Sequence, residues 1–190
     1  MILCVFPYGS KVYGTADPQS DTDLILVVDN DSEPEAQYKL PGVDLTVWTV
    51  NKFQQLLLGH DPVALECWYL PKDMAFCSRN FVFDLDLGKL HKSFSAKASN
   101  SWVKAKKKME VHGEFRIGMK SLFHSLRLLG FGIQIAKFGK LFMYNEENSV
   151  WRDIVAQNFD SWRAYKDYWQ PYYNRLHSEF RLVAPHSQGR

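Results

Sequence analysis

The sequence predicts an α/β chain of the α+β kind: a small mixed β-sheet core with flanking helices, followed by a helical region. Three observations predict it. Short apolar or alternating runs of strand length crowd into the first fifty residues, and beyond about residue 88 the hydrophobic period becomes helical. Formal charge also changes sign there. Residues 1–88 carry 5 Lys/Arg against 13 Asp/Glu, whereas residues 89–140 carry 12 against 2. The last fifty residues hold 6 of each, so the overall charge of +2 hides a strong asymmetry. An acidic segment suits divalent cations, and a basic one suits polyphosphate or nucleic acid. Two domains follow from this, 1–88 as a catalytic core and 89–190 as a helical region completing the cleft.

The elements read in order. Ile2-Leu3-Cys4-Val5-Phe6 is a buried strand running into a tight turn at Gly9-Ser10. A short helix or turn covers residues 11–16, and Asp17-Pro18-Gln19-Ser20 is a loop. Residues 23–28 form a second buried strand, residues 29–37 a polar acidic loop, and residues 43–50 a third strand with Asp44, Thr46 and Trp48 on one face. Residues 52–58 are helical behind Asn51 as cap. Asp61-Pro62 opens another helix, with a cap and then proline at its first position. A strand is expected over residues 81–87, and Asp84-Leu85-Asp86 caps or flanks the next helix. Further helices cover residues 98–111, 114–129 and 150–168 or beyond, with a break near Gln170-Pro171.

At 46% hydrophobic and 23% charged, the 190 residues have the make-up of a soluble globular protein able to bury a core. No apolar run approaches the ~20 residues that span a bilayer, and residues 1–8 are too short for a secretory leader. Cys4, Cys67 and Cys77 are odd in number and lack metal-ligand spacing, so they read as reduced thiols of a cytoplasmic protein.

The chemistry is concentrated near the start. Gly9 allows close approach of backbone to phosphate, and Ser10 with the following N–H groups can donate to it. Ser20-Asp21-Thr22-Asp23-Leu24 follows; on an extended chain Asp21 and Asp23 project to one face. Two carboxylates that close repel unless a cation lies between them. Asp44 supplies a third from a neighbouring strand, completing the ligand set of two divalent ions set ~3.5–4 Å apart. The run Gly9-Ser10-Lys11-Val12-Tyr13-Gly14-Thr15, with Ser20 to Leu24 and then Asp44, resembles the signature of the DNA polymerase β-like nucleotidyltransferase superfamily. That resemblance implies Asp21, Asp23 and Asp44 as catalytic metal ligands for two Mg²⁺ or Mn²⁺ ions. It also implies Gly9, Ser10 and Ser20 at the nucleotide, and an NTP such as ATP as donor. Tyr13-Gly14-Thr15, Ala64-Leu65-Glu66 and Lys120, His124 and Arg127 are similar to the predicted-nucleotidyltransferase group that includes RNA-ligase-associated members, which implies RNA processing or repair.

On the helix expected over residues 114–129, with Arg116 at 0°, Arg127 falls at about 20°, Lys120 at about 40° and His124 at about 80°. Such a stripe repels itself and implies an anion opposite, read here as the triphosphate gripped by Lys120, His124 and Arg127. Leu122, Leu126 and Leu129 lie on the other, core side. Lys104, Lys106, Lys107 and Lys108 spread around their helix as a patch for a nucleic-acid backbone, set against an ordinary solvated surface. The aromatic tail, Trp151 to Tyr173, reads as helix packing.

The expected function is transfer of NMP from an NTP to a hydroxyl, with an RNA end as favoured acceptor and no membrane involved. A protein hydroxyl or a small molecule is the alternative acceptor. A catalytically silent nucleotide- or RNA-binding module is the reading from another class.

Overall fold

A computed structural model describes residues 1–29 and 36–185. The strands are β1 Ile2–Tyr8, β2 Thr22–Val28, β3 Ala36–Leu40, β4 Val43–Thr49 and β5 Phe76–Cys77. The helices are α1 Ser10–Tyr13, α2 Val50–Leu58, α3 Pro62–Trp68, α4 Leu87–Glu110, α5 Phe115–Phe138, α6 Asn148–Gln157 and α7 Trp162–Val183. The chain forms two compact units, Met1–Leu85 with Leu141–Asn145, and Asp86–Lys140 with Glu146–Arg190.

The first unit holds a five-stranded mixed sheet in the order β3-β4-β2-β1-β5. Only β2 and β4 run parallel; β1 lies antiparallel to β2 and to β5, and β3 antiparallel to β4. Cys4, Phe6, Ile25 and Val27 are buried in the sheet, and Phe53 and Leu57 of α2 are fully buried. Phe53 stacks on Phe6 at 5.3 Å and meets Phe81 edge-on at 4.8 Å. Asp61 caps α3 through Val63 N and Ala64 N, as its place before Pro62 predicts.

Several expectations change. Residues 30–35 of the expected acidic loop lie outside the described residues, and its end, Ala36 and Gln37, instead begins β3. This is an edge strand exposed at Gln37, Tyr38, Lys39 and Leu40, so it lacks the apolar face that marks a buried strand. The cap of α2 is Thr49 rather than Asn51: the Thr49 hydroxyl accepts from Lys52 N at 3.1 Å. Residues 81–86 are not a strand. The Gln54 side-chain amide instead holds them, donating to Val82 O at 2.6 Å and accepting from Val82 N at 2.9 Å. Cys4 and Cys77 are joined in a disulfide, so only Cys67 is the free thiol expected of all three. The two are register partners on β1 and β5, a pairing invisible at a sequence separation of 73.

The second unit is helical. Its first helix starts eleven residues before the expected 98, where Asp86 accepts from Lys89 N at 2.9 Å and caps α4. Helix α5 runs past the expected end at Leu129, through Gly130 and Gly132, to Gly139 in the left-handed region. Leu122, Leu126 and Leu129 are fully buried, as their side of the helix predicts. The single helix expected from residue 150 is two, α6 and α7, parted at Asn158 with φ 45. The break expected at Pro171 does not occur; α7 carries Pro171 inside it. Trp162, Tyr165, Trp169 and Tyr173 are buried there, so this part of the tail is packing surface.

Candidate functional site

The parallel β2–β4 ladder sets Asp23 opposite Asp44, and the β1–β2 ladder sets Tyr8 opposite Asp23. On the far side, β3 sets Lys39 opposite Asp44. Register partners on adjacent strands share a face, so Lys39, Asp44, Asp23 and Tyr8 form one row across four strands. Lys39 Nζ lies 3.7 Å from Asp44 Oδ2. Lys39 and Tyr8 are the members of this row that sequence reasoning missed, and only Lys39 had a signal. The signal was the turn Pro41-Gly42 between two runs of strand length, with Gly42 at φ 73.

Gly9 closes on the same row. Its φ of 80 and ψ of −161 belong to a region that only glycine occupies comfortably. A Cβ built there would fall 1.9 Å from Asp23 Oδ2 and 2.7 Å from Asp23 Cγ. The backbone at the end of β1 therefore touches the Asp23 carboxylate through the space that a side chain would fill. After Gly9, α1 is short: Val12 N and Tyr13 N both donate to Gly9 O, and Gly14 ends it with φ 71. The Tyr13 hydroxyl then donates to the buried Glu66 carboxylate on α3, and Tyr144 donates to Glu66 O at 2.7 Å. Burial, with Glu66 nearby, pushes the Tyr144 hydroxyl far above its ordinary value.

Ser20 is fixed by a turn. Its hydroxyl donates to Asp17 Oδ1 at 3.0 Å and accepts from Asp17 N at 2.9 Å. Asp21 follows it, exposed, immediately before β2. The structure thus brings Asp23 and Asp44 together by register, with Gly9 against Asp23, and leaves Asp21 exposed just outside the strand. Among the described residues, no group of three or more His, Cys, Asp or Glu side chains gathers in metal-holding geometry. The donors at the row are nonetheless hard carboxylate oxygens, of the kind that Mg²⁺ and Mn²⁺ take.

The basic residues lie in the second unit and do not form one uniform face. Arg127 is only 5% exposed, with its guanidinium over Phe123 at 5.6 Å and Phe131 at 5.5 Å and Nη2 2.8 Å from His124 Nδ1. Burial first, then the positive charges of Arg127, Lys97 and Lys104, hold His124 well below the usual imidazole value. Lys120 and Arg116 are exposed on the same helix. Lys104, Lys106 and Lys107 are exposed as well; Lys106 sits 3.8 Å from Glu110, and Lys108 pairs with Glu114 at 2.7 Å. No described helix is long and apolar enough to cross a membrane.

No protein-family model matches the chain, and no curated protein matches it. A nucleotidyltransferase-like protein from Exiguobacterium sibiricum is structurally similar over 96% of this chain and 68% of its own, at 12% identity and a TM-score of 0.30. A likeness of that grade fixes neither the fold nor the activity.

Proposed function

We propose that the chain is a nucleotidyltransferase that moves NMP from an NTP to a hydroxyl, with an RNA end as the favoured acceptor. One observation carries the proposal: Asp23 and Asp44 stand side by side on parallel strands, with the glycine at the end of β1 closed against Asp23. Two carboxylates in register repel, and a divalent cation removes that repulsion. Asp23 and Asp44 would hold it, with Asp21 turning in from the loop as the third donor. Bound there, the ion would supply charge neutralisation at the triphosphate and a lowered pKa at the attacking hydroxyl.

The chain's own groups do the rest. The Gly9-Ser10 turn offers backbone and a hydroxyl to the phosphates, held by the Tyr13–Glu66 hydrogen bond behind it. The turn at Asp17 keeps Ser20 in place beside Asp21. The acceptor oxygen bonds to the α-phosphorus as the bridge to the β-phosphate breaks; pyrophosphate leaves, and the hydroxyl proton passes to solvent. The exposed Lys104, Lys106 and Lys107 of the second unit are proposed as a surface for a nucleic-acid backbone.

A second reading, a silent nucleotide- or RNA-binding module, is favoured by the Lys39–Asp44 pair, which sets a cation of the chain's own 3.7 Å from one carboxylate. A single experiment separates the two. The full chain is incubated with each labelled NTP, Mg²⁺ or Mn²⁺, and RNA or protein acceptors, beside Asp23→Asn and Asp44→Asn. Label in RNA that both substitutions abolish supports transfer to RNA, and label in protein moves the acceptor. NTP binding without transfer under every condition supports the silent module.

A further inference from the structure

Helices α4 and α5 of the second unit pack against each other, and one close approach fixes their alignment. A Cβ on Gly118 would fall 2.4 Å from Met109 Cγ and 3.2 Å from Ala105 O, so glycine there lets the two backbones draw together. The helices are joined by the short turn 111–114 and run in opposite directions. Counted along each helix from that contact at ~1.5 Å per residue, His124 comes level with about Ser101. Lys97 and Lys104 lie one turn to either side of Ser101, on one face of α4. Both are exposed, and neither makes an ion pair among the described residues, whereas Lys106 and Lys108 pair with Glu110 and Glu114.

The half-buried His124 stands at the centre. Arg127 Nη2 lies 2.8 Å from its Nδ1. A guanidinium only donates, so Nδ1 accepts and the ring proton sits on Nε2. That Nε2–H makes no hydrogen bond among the described residues and is not sealed from solvent. Besides burial, what acts on the ring is charge from Arg127, Lys97 and Lys104, all of it positive, with no carboxylate to offset it. Cations gathered around one N–H donor repel, and an anion seated among them removes the repulsion.

We propose that α4 and α5 form a site for a terminal phosphate group, with the His124 Nε2–H and the Lys97 and Lys104 ammonium groups as its donors. Arg127 acts through His124, holding the ring and its proton in place. A tetrahedral oxyanion accepts from several directions, as donors on two helices require, whereas a carboxylate offers two oxygens in one plane. A phosphate monoester carries nearly two negative charges at neutral pH and so matches two ammonium groups; a bridging diester carries one. A mononucleotide and the phosphorylated end of an RNA both present this group. The site needs neither a metal nor nucleotidyl transfer, and it shares only Lys104 with the surface proposed for a nucleic-acid backbone.

The test titrates the full chain calorimetrically in EDTA, so that binding through a metal ion is absent. The ligands are AMP, adenosine, and a hexaribonucleotide with either a 5′-phosphate or a 5′-hydroxyl. At least one phosphate-bearing ligand is expected to bind about ten-fold more tightly than its unphosphorylated control. Lys97→Gln and Lys104→Gln, both at exposed positions, are each expected to weaken it about five-fold or more. Lys92→Gln, which removes an exposed charge from another face of α4, should leave it unchanged. The His124 ring protons should shift in NMR spectra as the site fills. Tighter binding of the phosphorylated RNA than of AMP assigns the group to an RNA end, and equal or weaker binding assigns it to a nucleotide. The proposal is overturned if neither phosphate-bearing ligand exceeds its control, or if binding is indifferent to both Lys97→Gln and Lys104→Gln. A loss in Lys92→Gln as large as in Lys97→Gln also overturns it, in favour of diffuse surface charge.

Discussion

Gly9→Ala tests the junction between β1 and the carboxylate row. Two costs add. At φ 80 and ψ −161, a side chain occupies a region that costs ~1–3 kcal/mol for any residue but glycine. The new Cβ would also lie 1.9 Å from Asp23 Oδ2 and 2.7 Å from Cγ, so the carboxylate must leave its rotamer at ~0.5–1.5 kcal/mol. The sum is about 2–4 kcal/mol. Gly42→Ala provides the control: its φ of 73 carries a comparable backbone cost, ~1–2 kcal/mol, but a Cβ there meets nothing within 4 Å. Hydrogen exchange of the amides in β1 and β2 reads both as a loss of local opening energy. Gly9→Ala should speed exchange roughly 30- to 1000-fold and Gly42→Ala roughly 5- to 30-fold, at a factor of ten for each ~1.4 kcal/mol. Nucleotidyl transfer should vanish in the first and survive in the second. Equal acceleration in the two variants, with transfer intact in both, would refute the claim that Gly9 sets the position of Asp23.

Three further outcomes are expected. Tyr13→Phe removes a donor from the buried Glu66 carboxylate and should lower stability by about 1–3 kcal/mol in urea titration, reducing transfer with it. His124 is held below the ordinary imidazole value of 6.5, so as pH falls from there the unfolded chain takes up a proton that the folded one refuses. Stability of the second unit should therefore decline below about 6.5, and His124→Gln should flatten that slope in calorimetric scans. Pro171→Ala restores an N–H inside α7 and should raise stability by ~1 kcal/mol or more, read as a higher urea midpoint.

The strands that hold the acidic residues were readable because their apolar residues sit where a sheet must bury them. Asp23 stands at the head of one such run and Asp44 near the start of the other, which is what singled them out as candidates. Their mutual register was not readable, since β2 pairs directly with β4 although β3, a strand with no apolar face, lies between them in sequence. Packing overrode local preference in three places. Gly130 and Gly132 should weaken α5, yet it continues because Glu147 and Phe180 occupy the space where their side chains would be. Pro171 should break α7, yet Trp169, Tyr173 and Leu176 around it are buried in the unit, and the helix persists. Arg127 lies on the expected basic stripe, yet the aromatic rings one turn either side draw it inward. Helical geometry gives a residue's angle, but only the neighbours decide whether that angle faces water.

The five residues Leu141–Asn145 belong to the first unit although more than fifty residues of the second come before them. Leu141 is buried and the Tyr144 hydroxyl reaches the main chain of α3. As the nascent chain leaves the ribosome, the sheet is complete long before this last piece emerges. The amino-terminal half must wait, with its core unsealed, until most of the helical half has been made. A fragment ending at Leu85 would keep all five strands and still lack its own closing clasp.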